Sequence, residues 1–149
     1  MKTAIVYYSK HHGNTLKLLE AIKAADEVTL IDVTKDPQAD VSGYDRIGFA
    51  SGIYYSNVAK QILKYAKEHL PEGKEVFFIG TCGNNSVSAQ KTFFKALREI
   101  TDGKKCKYLN EYICLGYDTY GPFKLVGGIA KGHPTEDEIS ASVSFYGNL

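Results

Sequence analysis

The sequence has few cysteines, almost no net charge and no long hydrophobic run, and each shortage excludes a class of protein. Its three cysteines form no C-x-x-C pair, which argues against a disulfide-built fold and against a thioredoxin-type site. A formal charge of +1 leaves no basic surface for nucleic acid. No stretch approaches the roughly 20 apolar residues that span a bilayer, and the first residues lack a secretory signal pattern. We therefore expect a cytoplasmic protein with no nucleic-acid partner and no membrane span.

Short strand-like runs alternate with helix-like segments along the whole chain. Apolar runs predict five strands, at residues 3–8, 28–33, 46–50, 75–80 and within 106–115. Apolar residues at helical spacing predict helices after the first, third and fourth strands, and Thr135 with Glu138 forms a capping box that predicts the start of the last helix. Such alternation gives right-handed β-α-β crossovers and a parallel sheet covered on both faces. We predict a single α/β domain over residues 1–149, a three-layer, doubly wound sandwich.

Polar segments that contain glycine follow three of the predicted strands. They are residues 9–15 (SKHHGNT), 51–57 (SGIYYSN) and 81–86 (TCGNNS). In open α/β sheets, ligands bind outside the carboxyl ends of the strands, at the point where the strand order reverses. These three segments are therefore the candidate ligand-binding segments.

The first segment has the components of an anion site. The helix that begins near Gly13 presents unpaired N–H groups and the positive end of its dipole, and Ser9, Asn14 and Thr15 can add hydrogen bonds. The alternative is an ordinary surface turn in which Asn14 or Thr15 only caps the helix. The sequence has neither G-x-x-x-x-G-K-[ST] nor G-x-G-x-x-G, which excludes the usual triphosphate and dinucleotide loops.

Two pairs of adjacent residues, His11-His12 and Tyr54-Tyr55, each have two possible roles. His11 and His12 diverge as sequence neighbours and have no cysteine or carboxylate at ligand spacing, so we predict no metal site and a solvated or phosphate-facing role. Tyr54 and Tyr55 can stack on a planar ring, or pack against the helix that follows.

Together, the three segments resemble the flavodoxin family of FMN-binding proteins, and the likeness covers essentially the whole chain. In that family the first loop reads [ST]-x-T-T-G-x-T and wraps the FMN phosphate. Here Ser9, Gly13, Asn14 and Thr15 match, whereas His11 and His12 stand where threonines are usual, in a loop with one residue more. Tyr54 is the best match to the aromatic beside the isoalloxazine, and residues 81–85 match the loop at the outer edge of the flavin.

The resemblance implies FMN as the cofactor and a five-stranded parallel sheet of order 2-1-3-4-5. The cofactor-binding candidates that it implies lie in all three segments and are Ser9, Lys10, His11, His12, Gly13, Asn14, Thr15, Ser51, Gly52, Ile53, Tyr54, Tyr55, Thr81, Cys82, Gly83, Asn84 and Asn85. We predict no catalytic side chain, and for Cys82 either a flavin contact or a packing role.

The chain departs from the family pattern in two places. Its third segment lacks the aromatic that often covers the second flavin face, so Tyr117, Tyr120 or Phe123 could cover that face, or it could be open to a substrate. In the electron carriers a glycine often follows the stacking aromatic, but Tyr55 stands there in this chain. A positive φ at such a residue costs about 1–3 kcal/mol.

The resemblance implies electron transfer with a redox partner protein or a small-molecule electron acceptor. The alternative is an FMN-dependent oxidoreductase, a quinone reductase or a protoporphyrinogen-oxidase-like dehydrogenase, that uses the glycine-rich residues 116–134 at its substrate face. We place electron transfer first because no side chain stands out as a general acid or base. The charge of +1 differs from the acidic carriers and keeps the alternative open. A signalling receiver domain would need acidic residues where Tyr8-Ser9 and Ala50-Ser51 stand, which disfavours that class.

Overall fold

A parallel sheet is the middle layer of the computed structural model, which describes residues 1–10, 12–83, 90, 92–117 and 127–149. Its strands are β1 (Thr3–Tyr8), β2 (Val28–Asp32), β3 (Arg46–Tyr54), β5 (Glu75–Cys82) and β6 (Lys107–Leu115), and a two-residue strand, β4 (Asn57–Val58), pairs antiparallel with β3. The order is β2-β1-β3-β5-β6. Because β4 lies off this path, the order is the predicted 2-1-3-4-5, and the flavodoxin-like fold class is confirmed.

Helices cover both faces of the sheet. They are α1 (Asn14–Ala25), α2 (Lys60–His69), α3 (Lys95–Gly103) and α4 (Glu136–Gly147). On one face α1 packs against α4, over a core that contains Ile5, Leu18 and Ile79. On the other face α2 packs against α3, over a core that contains Phe49 and Phe78. In the part of the chain that the structure describes, none of the helices has the length and apolar character to cross a membrane.

Two strands continue further than the apolar runs predicted. The sequence prediction ended the third strand at residue 50 and the fourth at residue 80, but β3 reaches Tyr54 and β5 reaches Cys82. The extension of β3 has a partner on each side, since Gly52 pairs with Thr81 of β5 and Ile53 pairs with Val58 of β4. The interpretation of residues 51–54 and 81–82 as loop was therefore wrong, because cross-strand pairing extends these strands.

A tight turn joins β3 to β4. Its two central residues, Tyr55 and Ser56, have φ values of 48° and 63°, and Tyr54 pairs with Asn57 across it. Left-handed conformations at both central residues are those of the hairpin turn that matches the twist of the strands. Asparagine and glycine are the usual residues there, and because both are missing from the two central positions no hairpin could be predicted.

The start of α4 is held by the predicted capping box, which is confirmed. Thr135 Oγ1 accepts a hydrogen bond from Glu138 N–H at 3.2 Å, and Thr135 N–H donates to Glu138 Oε1 at 2.9 Å. The other carboxylate oxygen of Glu138 accepts from Leu115 N–H at 3.1 Å, and His133 Nδ1 also contacts the carboxylate. One carboxylate therefore joins the end of β6 to the start of α4.

Replacing Glu138 with glutamine is expected to lower the free energy of unfolding by about 1–2 kcal/mol near pH 7. Partial burial raises the pKa of Glu138, but hydrogen bonds from Thr135, His133 and Leu115 lower it by more, so the net shift is downward. A lowered pKa in the folded state stabilises the protein fully above the ordinary glutamate pKa of 4.5, and this stabilisation is lost as the pH falls through the folded-state pKa. Urea unfolding of both proteins across this range measures the difference.

Glu136→Gln is the matched control, because this exposed residue lies in the same turn and its loss is limited to about 0.5 kcal/mol of helix-dipole interaction. A difference between the Glu138→Gln variant and the unsubstituted protein that stays constant down to about pH 2 would contradict the assigned role of the carboxylate.

Candidate functional site

The three predicted segments meet at the carboxyl ends of β1, β3 and β5, where the strand order reverses between β1 and β3. A cleft lies there. Residues of all three segments line it, together with two residues that directly follow β6; the set is Lys10, Asn14, Gly52, Ile53, Tyr54, Thr81, Cys82, Gly83, Gly116 and Tyr117. The sheet therefore brings the separate sequence segments to one place, as the strand-end rule predicts.

The first segment turns into α1 without a side-chain cap. Gly13 occupies the N-cap with φ 64°, and no acidic residue lies in the first turn of the helix. A Cβ atom at Gly13 would meet nothing within 4 Å, so its positive φ, and not lack of space, favours glycine. Ser9 Oγ accepts a hydrogen bond from Leu16 N–H at 3.2 Å and holds the segment against the helix. The positive end of the α1 dipole thus has no compensating carboxylate within the helix's first turn.

Asn14 has a buried acceptor that needs a donor. Only 8% of the residue is exposed, and its Nδ2 donates to the main-chain oxygen of Tyr117 at 2.7 Å. Because that oxygen can only accept, the contact also fixes which end of the amide is the nitrogen. Asn14 Oδ1 has no hydrogen-bond partner among the described residues. A buried unpaired acceptor costs about 1–3 kcal/mol, so a ligand hydroxyl or N–H at this position would remove that cost.

A buried hydrogen bond joins the first and third segments. The hydroxyl groups of Thr15 and Thr81 lie 2.9 Å apart, and the two residues are 1% and 4% exposed. Either hydroxyl can be the donor. This pair fixes the start of α1 relative to the end of β5, and so fixes the width of the cleft between them.

The two adjacent tyrosines of the second segment have different positions. Tyr54 lines the cleft. Its hydroxyl oxygen lies over Gly52, 3.0 Å from the position that a Cβ atom on this glycine would occupy. Its ring packs edge-on against the ring of Tyr8, with the centroids 6.0 Å apart. The free space in the cleft is about 20 Å³. Tyr55 is 79% exposed at the hairpin tip and does not line the cleft. Ser51 is fully buried, where its Oγ accepts from Ala59 N–H at 2.9 Å and donates to Gly52 O.

The cysteine of the third segment is a buried wall of the cleft. Cys82 is 6% exposed, and its Sγ donates to the main-chain oxygen of Cys114 at 3.8 Å. Burial, with a smaller contribution from Glu138, raises the pKa of the Cys114 thiol to about 12, so this thiol is neutral at physiological pH.

No group of three or more histidine, cysteine or acidic side chains suited to a metal ion occurs within the described ranges.

Two residues after β6 belong to the site although the candidate set does not include them. A Cβ atom on Gly116 would lie 2.7 Å from Asn14 Nδ2, so only glycine allows this close approach. Tyr117 binds Asn14 through its main chain, and its ring contacts that of His12 with centroids 4.2 Å apart. Its hydroxyl donates to Gly127 O at 2.9 Å. Tyr117 is one of the three aromatics expected from the sequence to cover the second flavin face, and applying the strand-end rule to the fifth strand would also have found Gly116.

The remaining predicted residues divide into two groups. Ser9, His12 and Gly13 lead into α1 and Thr15 lies in its first turn, and none of these four residues lines the cleft. His11, Asn84, Asn85, Tyr120 and Phe123 lie outside the described residues.

Comparison with known proteins finds a family and several similar structures. Residues 5–107 match the family model described as the flavodoxin domain. An uncharacterised protein of Methanocaldococcus jannaschii is 37% identical over 97% of this chain and 95% of its own length.

Three solved structures have a similar fold at low identity. A flavodoxin from the domain Archaea is 18% identical, with a TM-score of 0.71 over 97% of this chain and 92% of its own. General stress protein 14 of Treponema denticola, solved in complex with FMN, has 13% identity and a TM-score of 0.67 over 99% and 97% of the two chains. An NADPH-quinone reductase from P. pentosaceus has 15% identity and a TM-score of 0.64 over 100% and 99%.

The Thr15–Thr81 pair is expected to show strong coupling between its two members. Thr15→Val alone should lower the free energy of unfolding by about 1–3 kcal/mol, because it leaves the buried Thr81 hydroxyl without a partner. The double variant Thr15→Val/Thr81→Val removes both polar groups at nearly constant volume. Its loss of unfolding free energy should therefore be smaller than the sum of the losses in the two single variants. Urea unfolding of the four proteins gives the coupling energy. Additive losses would show that the two hydroxyls do not depend on each other.

Proposed function

The chain belongs to the flavodoxin family, and we propose that it binds FMN in the cleft and acts in electron transfer. The observation that supports this most is the convergence of three polar segments on one cleft, beside a helix start whose N-cap is a glycine and whose first turn has no acidic residue. Such a helix start attracts a phosphate group. When bound, a flavin accepts and donates electrons, while the protein orients it and adjusts its environment.

The first segment would hold the phosphate end of FMN. Main-chain N–H groups at the start of α1 can donate to phosphate oxygens, and the hydroxyls of Ser9 and Thr15 lie in the same segment. Asn14 Oδ1 cannot bind a phosphate dianion, because both are acceptors. It can accept from a hydroxyl of the ribityl chain, which supplies the donor that this atom lacks. Lys10 and His12 would add attraction for the negative charge.

The second and third segments would hold the flavin ring. Because the free space in the cleft is only about 20 Å³ and the Tyr54 side chain lies over Gly52, Tyr54 must turn away from this glycine before a three-ring system enters. Its side chain is then available to stack on the ring. Thr81, Cys82 and Gly83 also line the cleft, and Thr81 is the strand partner of Gly52.

Electron transfer is favoured over catalysis on a substrate by the chemistry of the cleft. Its described lining residues include no histidine and no carboxylate, and histidine is the side chain that most often acts as a general acid or base. Electron exchange needs neither. We expect a redox partner protein or a small-molecule electron acceptor, and a cytoplasmic location in which the three cysteines stay unpaired.

The alternative is an FMN-dependent oxidoreductase that uses residues 116–134 at its substrate face. The charge of +1 favours this alternative, because it gives little steering of a basic partner protein. The similarity in fold to an NADPH-quinone reductase is compatible with it.

Flavin-free protein is expected to bind FMN at least about a hundredfold more tightly than riboflavin, because only FMN carries the phosphate. In the Ser9→Ala/Thr15→Val variant this preference should fall about tenfold, as measured by quenching of flavin fluorescence. Thr81→Val is the matched control, because it removes the Thr15–Thr81 hydrogen bond from outside the phosphate segment and should leave the preference unchanged. If the double variant weakens both ligands equally, the phosphate does not lie in this segment.

Reduction by nicotinamide cofactors separates the two functions. With about 1 mM NADPH or NADH, the FMN-loaded protein should be reduced more slowly than about 0.1 s⁻¹, below the usual enzymatic range of about 1–1000 s⁻¹. Chemically reduced protein should still reduce ferricyanide rapidly. Stopped-flow measurement of flavin absorbance gives both rates. Rapid reduction by NADPH, followed by turnover with a quinone, would instead favour the oxidoreductase.

A further inference from the structure

A groove next to the cleft shares Tyr54 with it. It runs between the β3–β4 hairpin and the first turn of α2, and its volume is about 450 Å³. This volume is in the range of about 300–1000 Å³ that is usual for small-molecule sites. The residues that carry the inference are Tyr8, Tyr54, Tyr55 and Lys60. Nothing in the proposed cofactor site uses the last two.

Three tyrosines are among the residues that line this groove. The rings of Tyr8 and Tyr54 stand nearly perpendicular, at 83°, and Tyr55 is the most exposed large aromatic residue of the described chain. The hairpin keeps Tyr55 there at φ 48°, a conformation that is uncommon for a bulky residue. Tyrosine offers a large apolar face together with a polar hydroxyl, which is the combination found where planar ligands bind.

The charge of the groove is positive. Lys60 is its only charged lining residue within the described chain, and α2, which begins at this lysine, has no acidic residue in its first turn. Lys10 Nζ lies 5.9 Å from the centroid of the Tyr8 ring, on the neighbouring segment. A ligand that fits both features has a planar ring for the tyrosines and a negative charge for the lysines.

We propose that the groove between the hairpin and α2 binds a small planar aromatic molecule that carries a negative charge. The groove shares Tyr54 with the cleft, so this ligand would lie next to the cofactor. That second statement rests on the proposed function, whereas binding in the groove does not.

Naphthalene-2-sulfonate is a suitable probe, because it is planar, anionic and redox-inactive. Titration of the ¹⁵N-labelled protein, followed by amide chemical shifts, should give a Kd of about 1 mM or below, with the largest shifts in residues 54–63. Cyclohexanesulfonate, which has the charge without the aromatic ring, should bind about tenfold more weakly. The neutral 2-naphthalenemethanol should also bind more weakly, by about threefold or more.

Two variants and one control identify the groove. Lys60→Gln should weaken the sulfonate about three- to fivefold, whereas Lys67→Gln, an exposed lysine in the last turn of the same helix, should have no effect. Tyr55→Gly removes one aromatic wall and accepts the positive φ without strain, so it should fold normally and bind about fivefold more weakly. Equal effects of the two lysine variants, or shifts centred on residues 10–14 and 81–83, would overturn the proposal.

Repeating the titration with and without saturating FMN separates the two proposals. Sulfonate binding in protein that does not bind FMN would support the groove and overturn the cofactor assignment. FMN binding without any chemical-shift change at sulfonate concentrations up to about 10 mM would support the cofactor assignment and overturn the proposal for the groove.

Discussion

Parallel pairing of the strands is the constraint on which the rest of the molecule depends. It places the carboxyl ends of five strands, and the N-termini of the helices that follow four of them, at one edge of the sheet. Because β1 pairs with β2 on one side and β3 on the other, the chain leaves the sheet in opposite directions there and opens a cleft. The segments that enter the cleft are separated by tens of residues in sequence. The sheet alone makes them neighbours.

Hydrogen bonds then fix these segments to one another. The Thr15–Thr81 pair joins α1 to β5, and the Asn14 amide joins the same helix to the main chain of Tyr117 after β6. Glu138 joins β6 to α4. Each of these contacts is at least partly buried and spans more than twenty residues of sequence. The walls of the cleft are therefore set by the fold, while the side chain of Tyr54 is the part that occupies the space between them.

Much of the architecture could be predicted from the sequence, because strands buried on both faces are read from continuous apolar runs such as TAIVYY. The strand-end rule then indicated three of the segments at the site. The extension of β3 could not be predicted, since its partner β4 is only two residues long and the turn at Tyr55 and Ser56 lacks glycine and asparagine. The burial of Ser51 and the close approach of Gly116 to Asn14 could not be predicted either, because both result from tertiary contacts that leave no pattern in the local sequence.

The Asn14 amide has one consequence for communication across the molecule. Its nitrogen is bound to Tyr117, which in turn contacts Gly127 through its hydroxyl and His133 through its main-chain N–H. Its oxygen is available to a ligand. A ligand that orients this amide also stabilises the position of Tyr117, and so changes the affinity of residues 127–133 for a partner. Because thermodynamic linkage is reciprocal, a partner that binds residues 127–133 changes the affinity for the ligand by the same factor. A protein bound at residues 127–133 would therefore distinguish the ligand-bound from the ligand-free form without touching the ligand.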